Sequence, residues 1–122
     1  MSASPMELPA SITNITYSKT LTFDRNISGK VHCRRIGHVV MVFVIATMFN
    51  ESVSMNTAWV TIPQEYRPSS SQENVFGQFA STSTGVMVPM TSTYIGSGGT
   101  IKQDFTGAIS GGRFIGMWVY SV

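Results

Sequence analysis

The sequence predicts an all-β protein, an antiparallel β-sandwich or jelly-roll-like barrel of about eight short strands. No stretch holds a helical apolar period over three turns. Short segments rich in Val, Ile, Thr and aromatic residues recur along the chain. Gly, Pro, Ser and Asn turn signals separate them, which is the spacing expected of a sandwich or barrel.

The elements follow in order. Residues 1–11 hold Pro5 and Pro9 and read as a leader or linker. Residues 20–23 read as a short strand, ended by an Asp24-Arg25-Asn26 turn. The chain thus divides into an N-terminal leader, short strand or linker over 1–27 and a sandwich domain over 28–122. Residues 30–36 lead to Gly37, a tight hairpin turn into a strand over 39–48. That strand is apolar on both alternating faces. Val39, Met41, Phe43 and Ile45 lie on one side, and Val40, Val42, Val44, Ala46 and Met48 on the other. Such a strand is expected to be central and covered on both sides. In a small all-β domain the second cover is another sheet or a neighbouring subunit.

Further strands are expected over 56–62, 74–80, 86–90, 94–95, 100–105 and 113–121. Pro63-Gln-Glu-Tyr-Arg-Pro68 is a rigid connection, because Pro68 biases Arg67 away from the helical region. Gly96-Ser97-Gly98-Gly99 reads as a hairpin turn. It lacks the Gly-Lys-Ser/Thr that would complete a phosphate loop.

The chain has 122 residues, which sets one domain as the default. Charged residues make up 11%, less than half the usual ~25%, and 29 Ser and Thr fill the gap. Hydrophobic residues at 43% with so little charge exclude a disordered chain. One cysteine excludes a disulfide scaffold. The net charge of +2 does not by itself point to nucleic acid, and the basic band Lys19, Arg25, Lys30, Arg34 and Arg35 shows no RNA-binding motif. The apolar run from Val39 to Phe49 is far short of the ~20 residues of a spanning helix, so no membrane insertion is expected. The opening Met-Ser-Ala-Ser-Pro has neither the basic nor the apolar region of a signal peptide.

Little in the chain points to catalysis. His32, Cys33 and His38 are the only soft metal ligands, too few for a structural zinc site. His32 and Cys33, being neighbours on a strand, should face opposite ways, which leaves Cys33 as a small buried hydrophobe. There is no Gly-x-Ser-x-Gly elbow. No spacing forces two of the six carboxylates together as a glycosidase requires. The expectation is a protein that is not an enzyme and uses no cofactor and no metal.

The remaining chemistry lies in the aromatic residues Trp59, Tyr66, Tyr94, Trp118 and Tyr120. An aromatic face receives the apolar side of a sugar ring while a polar tip hydrogen-bonds. Core packing is the competing role, and Phe114, Trp118 and Tyr120 share one face of the last strand. Tyr94, beside the glycine turn, is the better exposed candidate. On side-chain chemistry the expected saccharide site is Tyr94 stacking on a ring and Trp118 as a second platform. Gln103, Asp104 and Arg113 would hydrogen-bond hydroxyls or a phosphate.

The stretch Trp59-Val-Thr-Ile-Pro-Gln-Glu-Tyr-Arg-Pro68 resembles a signature of phage tail proteins. A hairpin, Arg34-Arg35-Ile36-Gly37-His38-Val39-Val40, precedes it. A strand, Val75-Phe76-Gly77-Gln78-Phe79-Ala80, then a Gly99-Thr100-Ile101 step and an aromatic-rich final strand from Phe114 to Tyr120 follow in the same order. Over about residues 28–122 the chain is most similar to the C-terminal head domain of baseplate receptor-binding proteins in siphophages of Gram-positive bacteria. The resemblance implies a homotrimer around a three-fold axis, located on the virion at the tail tip or baseplate. It implies non-catalytic adhesion to bacterial cell-wall polysaccharide, alongside contacts with other virion proteins. Family members usually carry shoulder and neck regions, for which residues 1–27 are too short, so an isolated head or a small protein using the same fold is expected. The alternatives are a structural virion protein without glycan binding, such as a capsid decoration or fibre-tip protein, and a monomeric carbohydrate-binding module.

Overall fold

The computed structural model describes residues 16–82, 85–90 and 92–122. The leader expected over 1–11 lies outside these. The described chain forms ten strands and one short 3-10 turn. They are β1 (Thr16–Leu21), β2 (Ile27–Ile36), β3 (Val39–Phe49), β4 (Val60–Thr61), β5 (Gln72–Glu73), β6 (Phe76–Ala80), β7 (Val88–Pro89), β8 (Thr93–Ile95), β9 (Thr100–Gln103) and β10 (Arg113–Ser121), with the 3-10 turn at Gln64–Tyr66. A six-stranded sheet runs β1-β2-β3-β10-β6-β7, and a four-stranded sheet runs β4-β9-β8-β5. Every ladder is antiparallel. The all-β sandwich is therefore present, as two open sheets rather than a closed barrel among the described residues.

Local chemistry explains the strongest elements. Ile36 pairs with Val39, so β2 and β3 meet through the two-residue loop Gly37-His38, with Gly37 at φ 59°. Glycine takes that left-handed conformation without steric cost. At the other end a bulge falls between Ser28 and Gly29. Gly29 has φ 130°, and a Cβ there would lie 1.9 Å from the Ile45 carbonyl oxygen. Only glycine lets β2 approach β3 so closely.

Several expected strand bounds shift, three of them most. The first strand is Thr16–Leu21 rather than 20–23, because its six residues continue the ladder against β2. Beyond it Asp24 turns to the other sheet. Its amide donates to the Trp59 carbonyl at 2.9 Å, and its carboxylate accepts from the Thr61 amide at 3.1 Å. The strand expected over 56–62 shrinks to Val60–Thr61. Ser54 and Thr57 close a local turn, with Thr57 N donating to Ser54 O at 3.1 Å, and so compete with the sheet. Of the segment 86–90 only Val88–Pro89 is strand.

The core lies between the sheets. Val31 and Cys33 of β2, Val40, Val42, Val44 and Ala46 of β3, and Phe114, Trp118 and Tyr120 of β10 face Val60, Ile62, Ile95 and Ile101. Trp59 sits edge-on to both Phe49 and Phe114, with ring centroids 5.2 Å apart in each pair. Gly116 lies between Phe114 and Trp118, and a Cβ there would stand 2.5 Å from the Phe114 ring. Two polar tips anchor the aromatic strand: Trp118 Nε1 donates to Gln72 O at 3.1 Å, and Tyr120 OH donates to Tyr66 O.

The two apolar faces of β3 have different fates. Val40, Val42, Val44 and Ala46 are buried, whereas Val39, Met41 and Phe43 are exposed. The described residues do not supply the expected second cover. The ladders join these residues to Ile36 on β2, Val119 and Met117 on β10 and Phe76 on β6, in one continuous outward apolar stripe. The exposed row Lys30, His32 and Arg34 of β2 borders it.

Candidate functional site

A cavity of about 260 Å³ opens on the four-stranded sheet, lined by Ser71, Glu73, Tyr94 and Asp104. Three strands place these side chains. Glu73 ends β5 and stands opposite Tyr94 of β8. Asp104 follows β9, and its amide donates to Ser92 O at 2.7 Å, which brings its carboxylate alongside β8. Ser71 precedes β5 and is exposed. Tyr94 is half-buried, so part of its ring and edge is available to a ligand.

The charges on this cavity are two carboxylates. Burial raises the pKa of Glu73, and the negative charge of Asp104 raises it further. The lining can offer an aromatic surface, two hydroxyls and up to four carboxylate oxygens as acceptors. That set suits a polyhydroxylated ligand, whose hydroxyls donate to carboxylates while ring C–H groups rest on an aromatic face.

The five expected site residues separate into three groups. Tyr94 and Asp104 share the cavity. Arg113 is exposed but lies at the start of β10, on a different groove of about 170 Å³ that it shares with Met48 and Thr82. Gln103 and Trp118 are corrected to interior residues, each fully buried. Gln103 points inward with Ile101, two residues before it, and its Nε2 donates to Phe105 O at 3.2 Å and Gly107 O at 2.5 Å. It secures the loop after β9 and presents nothing to solvent. Trp118 packs its whole ring against the core and uses its one donor on Gln72 O. No face remains to stack a sugar.

Ser71 and Glu73 are the lining residues that sequence reasoning missed. Glu73 was legible only as one of six scattered acids, because its partnership with Tyr94 is a pairing between strands far apart in sequence. His32 and Cys33 do face opposite ways: His32 is exposed and Cys33 is buried. Burial pushes the Cys33 thiol up to about 12, which keeps it protonated and unreactive. Among the described residues no group of three or more His, Cys, Asp and Glu side chains gathers as metal ligands. Among the described residues no helix is long and apolar enough to cross a membrane. No family model and no curated protein matches the chain.

Proposed function

We propose that this chain is the saccharide-binding head of a bacteriophage tail or baseplate receptor-binding protein. It adheres to host cell-wall polysaccharide without cleaving it. The observation that carries the reading is the convergence of Tyr94 and Asp104, with Glu73 and Ser71, on one open cavity of an all-β sandwich. The resemblance over residues 28–122 supplies the class of ligand. Tyr94 stacks on a ring, and Asp104 and Glu73 accept hydrogen bonds from its hydroxyls. Ser71 adds a donor. Arg113, on a separate groove, takes no part in this cavity.

The apolar outer stripe of the six-stranded sheet supports association into the homotrimer that the resemblance implies. Contiguous exposed apolar surface of this kind marks an interaction site more often than free surface. Association also serves binding, because linked weak sites act together. The same stripe supports the second reading, a structural virion protein that docks other virion proteins through this face and binds no sugar.

The test uses purified protein, isolated cell walls and tail or capsid particles. Binding to walls that is lost in Tyr94→Ala, with a solution mass three times the monomer, supports the receptor-binding head. Sedimentation with virion particles and no wall binding supports the structural reading. Release of reducing ends from wall polysaccharide overturns the non-catalytic part.

A further inference from the structure

Asn74, Thr93 and Gln103 form one row across three neighbouring strands. Thr93 stands opposite Gln103 in the β8–β9 ladder. The Asn74 amide donates to Thr93 O at 3.2 Å, so Asn74, one residue past β5, sits beside Thr93. Asn74 is 7% exposed, and Thr93 and Gln103 are wholly buried. Each leaves one side-chain oxygen without a protein partner: Asn74 Oδ1, Thr93 Oγ1 and Gln103 Oε1. The carboxamide nitrogens are already committed, Asn74 Nδ2 to Met90 O at 2.9 Å and Gln103 Nε2 to Phe105 O and Gly107 O. Those bonds fix which end of each amide remains as acceptor.

The donor and acceptor count selects the occupant. Two carboxamide oxygens need donors, while the threonine hydroxyl has a hydrogen to give. A cation could take the three oxygens, but it would bring a charge into the core with no carboxylate among its ligands and would leave the hydroxyl hydrogen unused. Water has two hydrogens to donate and lone pairs to accept. Three hydrogen bonds are also what a buried water typically makes.

We propose that a single buried water molecule is held in this row, donating to Asn74 Oδ1 and Gln103 Oε1 and accepting from the Thr93 hydroxyl. It joins β5, β8 and β9 on the inner face of the sheet. Glu73, Tyr94 and Asp104 are the immediate chain neighbours of Asn74, Thr93 and Gln103, and alternation places neighbouring side chains on opposite faces. The water therefore braces the sheet directly beneath the cavity, whatever ligand the cavity takes.

A high-resolution crystal structure of the whole chain tests this. The expected result is one density peak at hydrogen-bond distance, about 2.7–3.2 Å, from all three oxygens. Direct bonds among the three side chains with no peak between them would overturn the proposal. So would a peak with shorter contacts and further oxygen ligands, the mark of a cation. Oxygen-17 relaxation in solution gives a second readout. Thr93→Val should reduce the number of long-lived waters by one, and Thr93→Ser should keep it. An unchanged number in folded Thr93→Val refutes the assignment, and the wild-type density decides the matter if that variant does not fold.

Discussion

Glu73 stands directly opposite Tyr94 in the β5–β8 ladder, and both side chains line the same cavity. Directly opposed residues bring their Cβ atoms to about 4.5–5.5 Å, close enough for one ligand ring to touch both. Substituting Tyr94 by Ala removes the aromatic wall and leaves the ladder, since Tyr94 is only half-buried. The expected outcome is a loss of wall binding of about two- to tenfold, from an aromatic contact of roughly 0.5–1.5 kcal/mol. The urea midpoint should move little. Quantitative binding to isolated cell walls, with a denaturation curve beside it, checks both halves.

The Asp104 charge acts on Glu73 in this cavity. Burial raises the Glu73 pKa first, and the Asp104 charge adds to it. Asp104→Asn removes the second cause alone, so the Glu73 pKa should fall part of the way toward its ordinary value. The sign for stability follows. A raised acid favours folding below its unfolded pKa, and that contribution is lost as pH rises through the folded pKa. The pH dependence between those two values should therefore weaken in Asp104→Asn. Carbon-13 NMR titration of the Glu73 carboxyl, in both proteins, measures the shift.

Trp118 separates a core role from a binding role. Its ring is fully buried and packs beside Phe114 at a centroid distance of 6.5 Å. Trp118→Ala should cost about 3–5 kcal/mol, the range for large aromatic deletions in cores. Trp118→Phe keeps most of the volume, removes the donor to Gln72 O, and leaves that carbonyl to solvent or neighbours at a cost of about 1–3 kcal/mol. Urea unfolding ranks the two. Wall binding should persist in Trp118→Phe.

Some of this was readable from the chain alone. Gly37 between two apolar segments marks the hairpin because a two-residue loop needs a residue that accepts positive φ, and the last strand is legible over its full length. The inner face of β3 is readable by alternation, but apolarity on both faces does not say whether the chain or a partner supplies the second cover. Gln103 looked like a binding residue on its polar tip alone. Its position two residues after Ile101 places it on the same inward face, and that periodicity is the better guide. The segment 56–62 has strand composition, yet the Ser54–Thr57 turn shortens it through a local hydrogen bond that composition does not reveal. Glu73 escaped notice because cross-strand register is a tertiary fact.

The outward stripe of β3 leads to a test of assembly. Phe43 is exposed, and its ladder partners are His32 on one side and Met117 on the other. A charge placed at Phe43 keeps the inner face intact and disrupts only what covers the outer one. Phe43→Glu should convert an oligomer to a monomer while leaving the far-ultraviolet circular dichroism unchanged. Light scattering on a sizing column reads the mass. An unchanged trimer in this variant would move the interface elsewhere.

Cys33 should make stability fall in alkali. Its thiol is buried among Val31, Val42 and the aromatic residues of the core, and burial lifts its pKa from 9.0 to about 12. Tyr120 is raised as well, by burial first and by Cys33 second. An acid with a raised folded pKa contributes stability that is fully present below its unfolded pKa and is lost as pH rises through the folded value. For Cys33 the window is therefore pH 9 to about 12. One such group gives a slope on the order of 1.4 kcal/mol per pH unit inside its window. Cys33→Ala removes that group at the cost of a small cavity, so the variant should be less stable at neutral pH and lose less between pH 9 and 11 than the wild type. Urea midpoints at three pH values settle the comparison. Equal alkaline losses in both proteins would assign the effect to Tyr120 and Tyr66, which are also raised by burial, instead.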